Sequence, residues 1–452
     1  MQSVHWAMLT CLNISTLNLR IPDPPFVLPF DLPGGERYLS SPSVLSLDGY
    51  DFDRREWDDI KPPDRSAFRW DMGFWWGLEI WLSSWETWIT SRQAKKWWNL
   101  RHIPIEQLNK TSLDLWLDTM DFSHIHTLEL NHTNRRNSLS DQVIEKLPAR
   151  LPALKSVRLF GKNADRFILA LPEHSLSHLD WQEGYDFCDG RPNCLSEPLR
   201  AVLDHQGRSL ESLHVHVEEQ LSTVPRPTVS AQELVMIGMW VPSLKSLTID
   251  LTRNESAWPW VELRILGRLP KLKELTIYFQ LASECRRQKK QQWSPYGVGY
   301  PWHRDSCEDT TCVGPDQYAQ PMLNETSARE MFEFLRKGKE FGDALAKVTF
   351  RAGDFEESCG QGPWLSGRKM WVTCNLTKSD SEGALRIACD GGDTLKEQDT
   401  SEMFWRDQHY PRLPACDGSS KYPDRLPTVE DDELEEELRK LQQEMILDEV
   451  EF

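Results

Sequence analysis

Histidine and cysteine are the residues of this chain whose spacing most resembles a chemical site. His214 and His216 alternate along the sequence, which would place both imidazoles on one face of a strand. A zinc site needs more ligands than two, and no third ligand is identifiable for this pair. His303, Cys307 and Cys312 also have a metal-like spacing, but no Cys-x-x-Cys pair accompanies them. We therefore expect no metal site and no cofactor.

Motifs of the common enzyme classes are missing from the sequence. It contains neither a Walker lysine loop nor Gly-x-Ser-x-Gly, His-Glu-x-x-His or a Gly-x-Gly-x-x-Gly at a strand–helix junction. We expect a protein that is not an enzyme and that has no catalytic residues.

A short repeated pattern offers better candidates for a binding site. It consists of an apolar residue, two variable residues, an apolar residue, one variable residue and a last apolar residue. Six clear copies occur, at Ile125-Leu128-Leu130, Leu154-Val157-Leu159, Leu176-Leu179-Trp181, Leu210-Leu213-Val215, Leu244-Leu247-Ile249 and Leu272-Leu275-Ile277. Further copies are Ile14-Leu17-Leu19, Val44-Leu47 and Leu345-Val348-Phe350. Such a unit must stack on its neighbours to bury its apolar side.

The pattern predicts strands whose polar residues lie side by side. Side chains alternate across a strand, so the apolar residues face the core and the residues between and after them face the opposite side. Neighbouring strands lie about 4.8 Å apart, so adjacent members of such a row would touch. We predict that the partner-binding residues are Glu129, Asn131, Arg158, Phe160, Asp180, Gln182, His214, His216, Asp250 and Tyr278.

Helical segments between the strands complete the predicted fold. Ser230 and Glu233 fit a capping box at the start of a helix, and Ser327 and Glu330 fit another. The six clear copies begin 29, 22, 34, 34 and 28 residues apart, so the units are irregular. The sequence predicts an α/β fold, a leucine-rich-repeat solenoid with a concave parallel sheet and helices outside.

Several segments depart from this array. The predicted domains are N-terminal repeats at 10–51, a Trp-rich helical insertion at 52–120, central repeats at 121–283, an exposed loop at 284–322, a C-terminal repeat or cap at 323–390, a disordered linker at 391–429 and an acidic helix or tail at 430–452. In the insertion, eight tryptophans lie between Trp70 and Trp98. We expect these rings to pack the helices of the insertion against the solenoid. An aromatic binding platform is the alternative.

The charge of the chain limits its partners. The net charge is −18, and residues 430–452 contribute −9 of it, from eleven carboxylates and two basic residues. This balance excludes nucleic acid and anionic membranes as main partners. Glu79 and Glu86 interrupt the apolar stretch of the insertion, so we expect no membrane span. The expected partner is a protein.

The cysteines and asparagines bear on the compartment. Ten cysteines are scattered without a regular frame, which indicates reduced thiols in a cytoplasmic or nuclear protein. Six of the twelve asparagines begin glycosylation sequons, at Asn13, Asn109, Asn131, Asn254, Asn324 and Asn375. The N-terminal segment MQSVHWAMLT has no basic n-region and no clean apolar h-region. We therefore expect the sequons to be unused. A secreted glycoprotein, supported only by the sequons, is a further alternative hypothesis.

The phrases VPSLKSLTIDL, LPKLKELTIYF and LPALKSVRLFG resemble the leucine-rich repeats of fungal F-box-type proteins. The resemblance covers roughly residues 10–375 and implies that the repeats capture a substrate protein for a ubiquitin ligase. In that family a separate F-box binds a Skp-type adaptor of a cullin ligase. Here the repeats begin within the first twenty residues and no F-box is visible. We expect a non-catalytic protein-interaction solenoid, with adaptor and cullin as partners only if an F-box lies upstream.

An acidic tail after such an array is also similar to the Ran GTPase-activating proteins. Those proteins have regular repeat units and a strong asparagine ladder, and this chain has neither. A GTPase-activating or other regulatory leucine-rich-repeat protein is therefore the alternative hypothesis.

Overall fold

The structure is a computed structural model that describes residues 7–20, 37–50, 52, 110–131, 139–183, 195–219, 225–253, 257–288, 314–338, 345–354, 367–378 and 385–395. Outside these ranges lie the eight clustered tryptophans, residues 289–313 of the predicted loop, residues 396–429 of the predicted linker and the acidic tail. Among the described helices, none has the length and apolar composition that crossing a membrane requires.

Within the described ranges, eleven strands form one sheet whose spatial order follows the chain. They are β1 (Thr16–Arg20), β2 (Val44–Asp48), β3 (Thr127–Asn131), β4 (Ser156–Phe160), β5 (His178–Glu183), β6 (Ser212–Val217), β7 (Ser246–Leu251), β8 (Glu274–Phe279), β9 (Lys347–Ala352), β10 (Met370–Lys378) and β11 (Leu385–Asp393). Strands β1 to β9 pair in parallel, whereas β10 is antiparallel to both β9 and β11. The α/β class and the mostly parallel sheet are thereby confirmed.

Helices form the connections, because parallel neighbours need a crossover to return the chain to the same end of the sheet. They are α1 (Ser112–Thr119), α2 (Asp141–Lys146), α3 (Ala164–Ala170), α4 (Ser196–Gln206), α5 (Ala231–Trp240), α6 (Trp260–Gly267), α7 (Glu284–Gln288) and α8 (Glu325–Lys337). Among the described residues, one α-helix lies between each pair of neighbouring strands from β2 to β8, and α7 and α8 lie between β8 and β9.

The apolar residues of the repeated pattern form the core. Leu128, Val157 and Leu179 are aligned on β3, β4 and β5, and each is at most 1% exposed. They share one buried cluster with helix residues such as Phe167 and Leu199. Burying an aliphatic side chain of this size stabilises the fold by about 1.5–3 kcal/mol, so stacked strands hold one another in place.

Two helix starts were predicted from capping boxes, and the structure confirms one of the two capping residues and not the other. At α5, the Ser230 hydroxyl accepts from the Glu233 N–H while the Glu233 carboxylate accepts from the Ser230 N–H at 2.6 Å, which confirms the prediction. At α8, the prediction that Ser327 caps the helix is wrong. Asn324 is the N-cap, and its Oδ1 accepts from the Ser327 N–H at 2.9 Å. An asparagine side chain serves this position as well as serine.

Neighbouring helices approach closely at glycine. A Cβ added at Gly267, at the end of α6, would lie 2.6 Å from the carbonyl oxygen of Leu335 in α8. Real Cβ atoms do not approach backbone so closely, so the packing of α6 on α8 requires glycine here. At Gly338, by contrast, an added Cβ would lie 3.4 Å from its nearest neighbour, which is ordinary contact.

Within the described residues, the sheet ends with β9, β10 and β11, and β10 is antiparallel to both of its neighbours. Residues 371–374 belong to β10. Its partner β11 runs to Asp393, past the predicted start of the linker at residue 391. On this pair, the ring of Trp371 lies against Gly392, where any Cβ would clash with it. Glycine therefore allows the indole to cover the neighbouring strand.

The cysteines are not all reduced. Cys374 and Cys389 face each other on β10 and β11, with Cα atoms 4.1 Å apart, and form a disulfide. Cys285 is also disulfide-bonded, and Cys11 is a free, exposed thiol. The expectation of reduced thiols is therefore wrong for Cys374, Cys389 and Cys285. It failed because sequence spacing alone did not reveal that two strands bring Cys374 and Cys389 together.

The predicted exposed loop at 284–322 also differs in its described parts. Its first five residues form α7, and Arg287 within that helix is only 8% exposed. At its far end, Tyr318 is 5% exposed and forms an isolated antiparallel bridge with Ala282. The prediction of exposure is wrong for these residues, because the bridge returns this end of the segment to the core.

Candidate interaction face

The sheet has a face that carries the residues between the buried apolar ones, and we call it the open face. Its first row follows the predicted register across β3 to β8. The aligned residues are Glu129, Arg158, Asp180, His214, Thr248 and Thr276. All six are partly exposed. The sheet therefore brings together the polar residues that the pattern placed in one row.

An ion pair with two polar neighbours lies at the centre of the open face. Arg158 Nε lies 3.0 Å from Asp180 Oδ2, and His214 Nδ1 lies 3.3 Å from Asp180 Oδ1. The Gln182 amide also donates to Asp180 Oδ1 at 3.0 Å. Burial lowers the pKa of His214, although Asp180 opposes this effect, so its imidazole is neutral near pH 7. Asp180 thus orients three neighbours and presents them as one polar surface.

The second predicted row is divided by burial. Asn131, Gln182 and Tyr278 are partly exposed, as the prediction of a binding surface requires. Phe160, His216 and Asp250 are 8%, 7% and 1% exposed. These three side chains cannot contact a partner in this conformation, so we remove them from the proposed surface. Two of them, His216 and Asp250, instead contact other buried charged residues near the ends of β6 and β7.

His216 and Asp250 belong to a buried charged group that we call the strand-exit cluster. Its members are His216, Glu219, Arg226, Asp250, Arg253 and Asp354. His216 Nδ1 lies 2.8 Å from Asp250 Oδ1, and its Nε2 lies 3.3 Å from Asp354 Oδ1. The ring of Tyr278 packs on His216 with centroids 4.2 Å apart. The imidazole is therefore held between two carboxylates beneath an aromatic ring.

Arg226 completes the charge balance around the two aspartates. Its Nη1 lies 3.2 Å from Asp354 Oδ1 and 3.6 Å from Asp250 Oδ1, and its side chain is 2% exposed. Arg226 Nε and Nη2 are buried and have no hydrogen-bond partner among the described residues. Two cations and two carboxylates in close contact make the burial of each one possible.

The cluster also pairs backbone groups that leave the regular sheet. Asp250 Oδ2 accepts from the Val217 N–H at 2.7 Å, and the Asp354 carboxylate accepts from the Glu219 N–H. The Glu219 carboxylate in turn accepts from the N–H groups of Leu281 and Ala282. Buried backbone groups need partners, and here carboxylates supply them where strands end.

Arg253 supplies hydrogen-bond donors to backbone carbonyl oxygens that leave the regular sheet. Its guanidinium donates to the carbonyls of Ala319, Pro321 and Gln280. It also lies over the ring of Trp258, with its central carbon 5.7 Å from the ring centroid. Burial lowers its pKa to about 10, with Glu219 opposing the effect, so the group remains charged at neutral pH. One arginine thus ties the chain after β8 to the segment before α8.

The charged neighbours in the cluster keep His216 and Asp354 ionised. Burial opposes a charged imidazole, but Asp250 and Asp354 outweigh it and raise the pKa of His216 to about 10. Burial likewise opposes an ionised Asp354, yet Arg226 and His216 outweigh it and lower the pKa of that carboxyl. At neutral pH, His216 is therefore a cation and Asp354 an anion. Such a group stabilises a conformation and leaves no base poised for proton transfer.

The sequence identified some of these residues and missed others. His216 and Asp250 were found because they lie in the repeated pattern. Glu219, Arg226 and Asp354 were missed because they lie outside the strands, and Asp354 is more than one hundred residues away in sequence. A search of the described residues finds no group of three or more His, Cys, Asp or Glu side chains that could hold a metal.

Comparison with protein-family models, with curated proteins and with solved structures finds no match for this chain. Its function is therefore inferred from the geometry of the open face and of the strand-exit cluster.

Proposed function

We propose that this chain is a leucine-rich-repeat solenoid that binds a protein partner through its open face and catalyses no reaction. The observation that carries the proposal is the row of partly exposed polar side chains aligned across consecutive parallel strands. Glu129, Arg158, Asp180 and His214 form its centre. Their register fixes the spacing of charge and hydrogen-bonding groups, which a folded partner with a complementary surface would recognise.

Stacked strand–helix units support the repeat assignment. Each unit from β3 to β8 presents aligned apolar residues to a shared core and polar residues to the open face. An array of this kind gives a broad surface on which many side chains act together. The strand-exit cluster supports the same function indirectly, because it fixes the ends of β6, β7 and β9 next to those rows.

A comparison of two double variants tests the proposal. Arg158→Ala with Asp180→Ala removes both members of the ion pair on the open face. Arg166→Ala with Asp141→Ala removes a similar Arg–Asp pair, with an N–O distance of 2.7 Å, from helices α3 and α2. Proteins captured from the native source by the tagged full chain are then compared by quantitative mass spectrometry.

We expect at least one protein that the unaltered chain and the helix-side variant capture equally and that the open-face variant loses. Removing both charges of each pair leaves no unpaired ion, so folding should survive in both variants. Thermal unfolding of both proteins checks this. Equal capture by all three chains, with folding intact, would contradict the proposal.

The finer expectations from the F-box resemblance are not carried into this proposal. A Skp–cullin assembly and a cytoplasmic or nuclear location imply reducing surroundings, with which the Cys374–Cys389 disulfide does not agree. The GTPase-activating alternative remains a prediction that a GTP hydrolysis assay with small GTPases would test. No arrangement among the described residues specifically favours it.

A further inference from the structure

Oxidised cysteines in this chain indicate its compartment. Cys374 is fully buried and is bonded to Cys389 across β10 and β11, and Cys285 is disulfide-bonded as well. Structural disulfides persist in oxidising compartments such as the secretory pathway, whereas the cytosol keeps thiols reduced. This bond joins two paired strands of the sheet and is therefore part of the fold.

The number of Asn-x-Ser/Thr sequons provides an independent observation. Ser and Thr together account for 58 of 452 residues, so twelve asparagines would begin about 1.5 Asn-x-Ser/Thr sequons by chance (12 × 58/452). The chain has six. Sequons mark acceptor sites for glycans in secreted proteins. An excess of sequons and the presence of disulfides therefore point to the same pathway.

Two of the sequons are well placed to carry a glycan. Asn13 and Ser15 are exposed on the segment before β1, and Asn324 and Thr326 are exposed at the start of α8. The Oδ1 atom of Asn324 accepts the capping hydrogen bond from Ser327, which leaves the Nδ2 atom for attachment. A glycan on Nδ2 and the helix cap on Oδ1 are therefore compatible. Bulky glycans require such surface positions.

We infer that this chain matures in an oxidising compartment and carries N-linked glycans on Asn13 and Asn324. In each transfer, the Nδ2 atom loses a proton and bonds to C1 of the first sugar, while the bond from that carbon to a lipid pyrophosphate donor breaks. In disulfide formation, the thiols of Cys374 and Cys389 give two electrons and two protons to a protein disulfide oxidant, which leaves as a dithiol.

The remaining described sequons lie elsewhere on the fold. Asn131 ends β3 and Asn375 lies within β10, and both side chains are only partly exposed. Asn131 belongs to the second row of the open face. Neither Asn13 nor Asn324 lies in those rows.

Mass spectrometry of the full chain from its native source tests the inference. Free thiols are first alkylated in acid, and the digest is then treated with an N-glycosidase that converts each glycosylated Asn to Asp. We expect the conversion at Asn13 and Asn324, and we expect Cys374 and Cys389 to escape alkylation until a reductant is added. Unmodified asparagine at either site, or alkylation of the two cysteines before reduction, would overturn the inference.

Matched variants expressed from the chain's own locus separate the glycan from the helix cap. Thr326→Ala removes the sequon but keeps Asn324 and its capping bond, whereas Thr326→Ser keeps both. Ser15→Ala and Ser15→Thr form the equivalent pair at Asn13. We expect the alanine variants to lose the mass of one glycan and the conservative variants to retain it; an unchanged mass in the alanine variants would contradict the inference.

This inference is independent of the proposed binding function. Unmodified asparagines together with binding that depends on the open face would overturn the glycan assignment alone. Glycosylated asparagines together with binding that ignores the open face would overturn the proposed function alone.

Discussion

The imidazole of His216 on β6 lies 2.8 Å from the carboxylate of Asp250 on β7, although backbone pairing between these strands runs only from Ser212–Ser246 to His214–Thr248. The side chains of His216 and Asp250 thus join β6 to β7 beyond the point where backbone pairing of the two strands stops. The carboxylate also accepts from the Val217 N–H, so Asp250 replaces a ladder carbonyl. The strand-exit cluster therefore fixes the ends of the strands that carry the open face.

Removing the central carboxylate should destabilise the fold strongly. We expect Asp250→Ala to lower the free energy of unfolding by about 3–5 kcal/mol, because it leaves His216 and Arg226 as buried cations with one anion fewer. Asp118→Ala is the control, since Asp118 pairs with Lys110 on the surface, and it should change stability by about 1 kcal/mol or less. Urea unfolding of both variants measures the two losses of unfolding free energy. Equal losses would contradict the claim that the buried cluster stabilises the fold more than a surface ion pair does.

The cluster should also give the fold a pH dependence. The folded pKa of His216, about 10, lies above that of a free imidazole, about 6.5, so the folded state holds a proton that the unfolded state releases. The contribution of His216 is therefore complete below about pH 6.5 and is lost as pH rises toward 10.

We expect the stability difference between the unaltered chain and His216→Gln to shrink steadily over that interval. Urea unfolding at pH 6, 8 and 10 measures it. A difference that grows with pH would mean that His216 is neutral in the folded state.

The disulfide should stabilise the closing hairpin. Cys374 and Cys389 are separated by 15 residues, and a loop of that length gives about 3 kcal/mol in the chain-entropy model. We expect Cys374→Ser with Cys389→Ser to lower the free energy of unfolding by an amount of that order. Cys11→Ser, at an exposed free thiol, should leave it unchanged. Thermal unfolding with and without reductant checks both, and insensitivity of the unaltered chain to reductant would contradict the bond.

Glycine at the end of α6 should be required for helix packing. Gly267→Ala places a methyl group 2.6 Å from the Leu335 carbonyl, and we expect a loss of about 1–3 kcal/mol from the resulting displacement of α8. Gly338→Ala is the matched control, because its methyl group meets only ordinary contacts. Comparable melting temperatures for the two variants would show that the helices accommodate the methyl group without strain.

The sequence predicted the strands well, because apolar residues at fixed spacing must stack, and this stacking also set the register of Arg158, Asp180 and His214. It could not predict which polar residues would be buried. Asp250 and Tyr278 occupy equivalent positions, yet only Asp250 is buried, since His216 and Arg226 pair with its carboxylate. Strand β11 was missed because its glycines and charges do not form an apolar pattern.

The most direct test of the proposed function is the affinity of the full chain for the partner that the capture experiment identifies, measured by isothermal titration calorimetry. We predict that Arg158→Ala with Asp180→Ala raises Kd at least about tenfold, which corresponds to about 1.4 kcal/mol. The helix-side variant, Arg166→Ala with Asp141→Ala, should keep the Kd of the unaltered chain. The same Kd for all three folded proteins would contradict binding through the open face.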